Sequence, residues 1–172
     1  GIENDLTIHN TYSSEFKPQT KYDLISMLQV IEHLSDPVSV IKDGHRLLRK
    51  GGLMYIACPN YSSASFALFK EKHRHVSSFA HINLYSMDTL KKQMEDLGFE
   101  CINIETYFLD IDLHDLIYYY FNRNNFSHRF ANYNEFLFTL TNILFRPFKG
   151  VLQRNVVKKN KGSYLRGVFR KI

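Results

Sequence analysis

The chain has 172 residues, 44% hydrophobic and 23% charged, which is enough for one domain with its own core. No run approaches the roughly 18 apolar residues of a membrane span, and the two cysteines, Cys58 and Cys101, make neither a metal pattern nor a disulfide framework. The net charge of +5 is uneven: residues 146–172 carry nine Lys or Arg and no acid, so residues 1–145 are net −4. The polar N-terminus reads as no signal peptide, and the cysteine usage as a reducing, cytoplasmic compartment. The start on Gly1 rather than Met suggests a missing upstream part.

The first candidate element is "DLTIH", residues 5–9, a short strand. A polar stretch follows, and then "YDLISML", 22–28, whose nearly continuous apolar run predicts a strand buried on both faces. Next comes a turn with Glu32 and His33 side by side. Asp36 as N-cap and Pro37 in the first helical position predict a helix. Val40, Ile41, Gly44, Leu47 and Leu48 repeat at helical spacing, Arg46, Arg49 and Lys50 suit its last turns, and Gly51-Gly52 should stop it. "LMYIAC", 53–58, is the next buried strand, closed by Pro59-Asn60. Cys58 in it reads as a small core residue.

Residues 61–85 form a long polar connection holding His73, His75 and His81. Ser86 caps a second helix with Met87, Leu90, Met94 and Leu97 on its inner face, ended by Gly98. "FECINIETYFL", 99–109, alternates as a strand does. Residues 112–158 look helical and aromatic, with Pro147 expected to break or kink the second helical part. "SYLRGVFRK", 163–171, alternates again. Strands alternating with helices, then a closing pair of strands, predict an α/β sheet covered on both faces. Ligands of such sheets sit outside the carboxyl ends of the strands. That singles out two turns, "QVIEH" and "CPN".

The segment "YDLISMLQVIEHLSDPVSVIKDGHRLLRKGGLMYIACPN" resembles the middle of class I S-adenosylmethionine-dependent methyltransferases, in particular the ubiquinone-biosynthesis O-methyltransferase group. The resemblance rests on Tyr22-Asp23, Glu32-His33, Asp36-Pro37, Lys50-Gly51-Gly52 and Pro59-Asn60, in that order and spacing. "HINLYSMDTLKKQMEDLGF", 81–99, resembles the family's next segment, and the likeness covers residues 1–110 and 163–172. It implies a Rossmann-like sheet with flanking helices, a helical aromatic cap at 112–158 before the last strand, and S-adenosylmethionine as cofactor. The family's strand order, 3-2-1-4-5-7-6, makes "LTIH" the third strand. The glycine-rich loop and the first two strands would then be absent, and residues 1–172 would be a single partial methyltransferase domain.

The resemblance also implies site residues. Leu28, Gln29 and Val30 would border the methionine and sulfonium end of the cofactor, and Asn10, Thr11 and Tyr12 would lie near its adenine. His33 and His81 are the candidate bases for a small-molecule acceptor, a quinone precursor, a sugar or a lipid-linked hydroxyl. Glu32 reads as a helix-start residue as readily as a catalytic one. His73 and His75 with His81 and Glu32 do not make a recognised zinc spacing, so no metal is assigned. The aromatic, basic stretch 136–161 suits a cap over the sheet or a peripheral membrane contact. No nucleic-acid motif accompanies it. A non-catalytic scaffold with this fold is the alternative reading.

Overall fold

The computed structural model describes residues 6–70, 73, 76, 81–111 and 135–172, with backbone alone for 135–142. Four strands form one sheet: β1 (Tyr22–Leu28), β2 (Leu48–Pro59), β3 (Phe99–Tyr107) and β4 (Tyr164–Lys171), in the order β1-β2-β4-β3. β1 and β2 run parallel, while β4 lies antiparallel to both of its neighbours. This is the expected 4-5-7-6 part of the order. The helices are α1 (Pro37–Leu47), α2 (Ala64–Phe69), α3 (Met87–Asp96) and α4 (Glu135–Lys158).

The local signals explain most of these boundaries. Asp36 accepts from the Ser39 amide at 3.0 Å, and Pro37 opens α1. Ser86 and Thr89 make a reciprocal capping box at the start of α3. Gly98 leaves α3 with φ +85°, a conformation that favours glycine. The inner face of α1, Ile41, Gly44 and Leu47, meets the sheet, and a Cβ on Gly44 would run into the Met54 side chain. Met54, Ile56 and Cys58 of β2 join Leu90 and Met94 of α3, and Leu165 and Phe169 of β4, in one buried core. Burial raises the Cys58 thiol pKa, as suits a core residue.

Three expectations change. First, α1 ends at Leu47, not at the diglycine. Leu48 is fully buried and turns extended, so β2 begins five residues early. Gly51, at φ +74°, then lies in a bulge where the pairing jumps from Tyr22↔Leu48 to Leu24↔Leu53. Second, residues 6–9 form no strand, and Leu6 and Ile8 are 66% and 76% exposed. A strand needs a ladder partner, and the described residues provide none there. For the same reason β1 is an outer strand. It buries only Met27, while Leu24 and Leu28 are exposed. Third, of the break or kink expected at Pro147, the break does not occur: α4 continues through it with one backbone bond removed. The aromatic segment 114–123 lies outside the described residues, as do His75 and the earlier part of the expected cap.

His45, late in α1, sets its ring edge-on to Phe99 at 5.1 Å. Burial, then nearby Lys171, lowers its pKa. Folding thus weakens proton binding, so the neutral ring's contribution is present above about pH 6.5 and is lost as pH falls through the lowered folded value. His45→Gln should flatten the acid limb of stability. In thermal melts from pH 7.5 to 5, the variant's Tm should fall less than that of the parent. Parallel curves would contradict this role.

Candidate active site

The carboxyl ends of β1 and β2 lie side by side, because the two strands are parallel and paired up to Leu28↔Ala57. After β1 the chain turns sharply. Gln29 adopts φ +54°, and its amide donates to the Ala57 carbonyl at 2.8 Å. A non-glycine residue in that region stores strain of order 1 kcal/mol and is held only where its surroundings fix it. A single 3-10 turn, Ile31–His33, follows. Ile31 is fully buried and anchors the turn in the core.

The strap at residues 81–83 is tied to this turn. The Ile82 and Asn83 amides both donate to the Glu32 carbonyl, at 3.0 and 3.1 Å. The Asn83 side-chain amide donates to the Leu34 carbonyl at 2.6 Å and to that of Ile31 at 3.3 Å. These bonds bring the His81 ring to 4.6 Å from the His33 ring, tilted by 55°. The two histidines expected as bases are therefore neighbours.

Glu32 lies beneath them. It is 1% exposed, and neither carboxylate oxygen has a hydrogen-bond partner among the described residues. The His33 ring approaches it, with Nε2 at 3.8 Å from Oε1. Burial raises the Glu32 pKa, opposed only in part by its own backbone amide and then by His33 and His81. One donor atom each from Glu32, His33 and His81 falls within 4.8 Å of the others. A carboxylate and two imidazoles are a donor set for a divalent transition metal as well as for proton transfer. Chain spacing hides this set, because the fold alone brings His81 to the turn.

The other candidates separate. Leu28, Gln29 and Val30 line the same turn, and Leu28 and Val30 are exposed at 59% and 39%. Asn10, Thr11 and Tyr12 do not join them. The Ser13 hydroxyl donates to Asp43 of α1, and Arg46 donates to the Ser13 and Phe16 carbonyls. Phe16 in turn stacks on Tyr22, at the amino end of β1. The length of β1, roughly 20 Å at 3.3 Å per residue, lies between that loop and the Gln29 turn. His73 also belongs elsewhere. It is buried and hydrogen-bonded to Ser65 at 3.1 Å, within a chain of hydroxyls, Ser63, Ser65 and Ser163.

Two residues emerge that the sequence reading did not place. Asn83 ties the strap to the turn. Asn60, at the "CPN" turn, is buried, donates to the Gly162 carbonyl and accepts from the Ser62 amide. The second turn is thus held by structure-building bonds. Tyr85, beside Asn60 in a parallel bridge, has its phenol pKa pushed up to about 12, chiefly by burial.

Residues 3–104 match the family model of a methyltransferase domain, well over half of the chain. The chain belongs to this family of methyltransferase domains. Among curated relatives, the ubiquinone biosynthesis O-methyltransferase of Ruegeria pomeroyi is 31% identical over 68 residues, 40% of this chain and 27% of that protein. The enzyme of the same name from Parvibaculum lavamentivorans is 49% identical over 39 residues, 23% of the chain and 15% of that protein. The matched part spans about a quarter or less of these relatives. In fold, a SAM-dependent methyltransferase from Thermotoga maritima superposes with a TM-score of 0.51 at 16% identity, covering 91% of this chain and 60% of that one. One from Archaeoglobus fulgidus gives 0.51 at 18% identity, covering 88% and 60%. These likenesses carry the fold, a Rossmann-like sheet with flanking helices.

In this methyltransferase domain, Asn83→Ala removes both side-chain ties. It should lower unfolding stability by about 1–2 kcal/mol and speed hydrogen exchange at the Ile82 and Asn83 amides. Unchanged exchange at those amides would show that the strap is held by other means.

Proposed function

We propose that the protein transfers a methyl group from S-adenosylmethionine to a hydroxyl of a small molecule, at the turn after β1. The observation that carries this reading is the convergence of His33, His81 and Glu32 at the carboxyl end of β1, in a chain of the methyltransferase family. The names of the curated relatives, O-methyltransferases of ubiquinone biosynthesis, favour oxygen as the methylated atom and a quinone precursor as acceptor. A sugar or lipid-linked hydroxyl fits the same chemistry. Residues 1–172 act as one part of this methyltransferase domain.

Leu28, Gln29 and Val30 would border the sulfonium end of the cofactor, where an exposed, partly apolar turn suits the methionine chain. When bound, S-adenosylmethionine would supply an activated methyl group for in-line transfer to the acceptor oxygen, its sulfur keeping the electron pair of the broken carbon–sulfur bond. The hydroxyl proton goes to an imidazole nitrogen of His33 or His81. Positioning of the two reactants supplies most of the acceleration, and a general base adds about two to four orders of magnitude. The buried Glu32 carboxylate steadies the imidazolium that forms. Asn10, Thr11 and Tyr12 are not part of this pocket.

The unpartnered Glu32 carboxylate favours a second reading of the same groups. Glu32, His33 and His81 would hold a divalent cation, which supplies Lewis-acid polarisation of an acceptor oxygen when bound. Dialysis against a chelator separates the two readings. Full activity afterwards supports the histidines as bases, and loss restored by manganese or zinc supports the metal.

The test uses the full-length gene product with phenolic, sugar and prenylated hydroxyl acceptors, reading release of S-adenosylhomocysteine. His33→Ala or His81→Ala should lower kcat by roughly 100-fold to 10,000-fold while the Kd for S-adenosylhomocysteine stays nearly constant. Full turnover in both single variants and in the double variant would overturn the assignment. Absence of S-adenosylhomocysteine binding by the full-length protein would overturn the proposed activity.

A further inference from the structure

α4 presents an apolar stripe to solvent. Leu144, Phe148, Val151 and Leu152, at i, i+4, i+7 and i+8, are 63%, 71%, 63% and 41% exposed. Four large side chains on one helical face, left in water, cost hydrophobic free energy that a partner surface would recover. The 3.6-residue period places Arg154 and Lys158 along one flank of this stripe. Beyond them the inner side of the helix faces β3. There Tyr107, Phe108, Gln153, Arg154, Val157 and Lys158 line an open cleft of about 310 Å³. Phe108 is 41% exposed at φ +57°, and the Lys149 ammonium sits 5.5 Å from its ring centre.

From residue 136 on, the helix and the chain after it carry side-chain charge of one sign. Residues 136–172 contain no acid. Of the nine cations after residue 145, Arg166 and Arg170 pair with Glu105 and Glu100 of β3, and Lys171 donates to the His45 and Leu48 carbonyls. The other six, Arg146, Lys149, Arg154, Lys158, Lys159 and Lys161, lie on α4 or in the four residues after it. No helix among the described residues is long and apolar enough to cross a membrane. An exposed apolar stripe bordered by cations matches a helix that lies in the plane of an anionic bilayer surface.

We propose that α4 docks the protein on anionic lipid. The stripe enters the headgroup boundary, and Arg154 and Lys158 take lipid phosphates at the mouth of the cleft. A second copy of this chain would present the same positive rim and repel itself there. A bilayer of anionic lipid offers the complementary sign over a large area.

Flotation with vesicles of phosphatidylcholine, alone or doped with phosphatidylglycerol, tests this on the full-length protein. The protein should float with the doped vesicles only, and added salt should release it. Phe148→Ser with Leu152→Ser should abolish flotation. Arg154→Gln with Lys158→Gln should weaken it roughly 25-fold, about fivefold for each cation near the surface. All four side chains are exposed, so melting temperature and S-adenosylhomocysteine binding should hold, which separates this result from a failure of the proposed chemistry. Equal flotation with neutral vesicles, no flotation at all, or concentration-dependent self-association lost in Phe148→Ser would each overturn the proposal.

Discussion

The carbonyl of Glu32 receives two backbone N–H groups from the 81–83 strap, and the geometry of the site depends on that junction. Glu32 belongs to the turn after β1, and the strap belongs to the approach to α3. Their chain separation is near fifty residues, yet the two bonds and the Asn83 side chain hold them in fixed register. That tie helps hold the His81 ring beside that of His33. Glu32 itself is buried there, and neither carboxylate oxygen has a hydrogen-bond partner among the described residues.

Such a carboxylate is expensive. A buried polar group without partners costs roughly 1–3 kcal/mol, more when charged, so it persists where something uses it. Under the proposed function, two imidazoles within reach would give it a use, through protons or through a bound cation. The left-handed Gln29 beside it is a second local cost at the same place. The rest of the domain bears these costs through ordinary packing: the buried run of β2 against α3 and β4, and the close approach of α1 over Gly44.

Much of this was legible before the fold was seen, because it is written in local signals. Asp36-Pro37, Ser86 and Gly98 each mark a helix end through one backbone group that needs a partner or one φ angle that favours glycine. The Leu48 entry to β2 was not legible. A helix-spaced leucine can also start a strand, and only its pairing with Tyr22 decides. The strand expected at 5–9 failed for a related reason, since alternation of side chains does not supply a neighbour. At the site, His33 and His81 were readable as types, whereas their contact was not, because it depends on Asn83. Asn10–Tyr12 were placed by analogy with a sheet in which their strand is paired. In this structure no strand forms at 6–9, and the loop just after these residues is tied to α1 through Ser13.

The central claim is that the β1 turn and the strap together receive the cofactor and its acceptor. Hydrogen exchange of the full-length gene product, with and without S-adenosylhomocysteine, tests it most directly. The account predicts slower exchange at the amides of residues 28–33 and 81–83, with the paired β3 and β4 strands unchanged. Binding that leaves residues 28–33 exchanging at their free rate would contradict it.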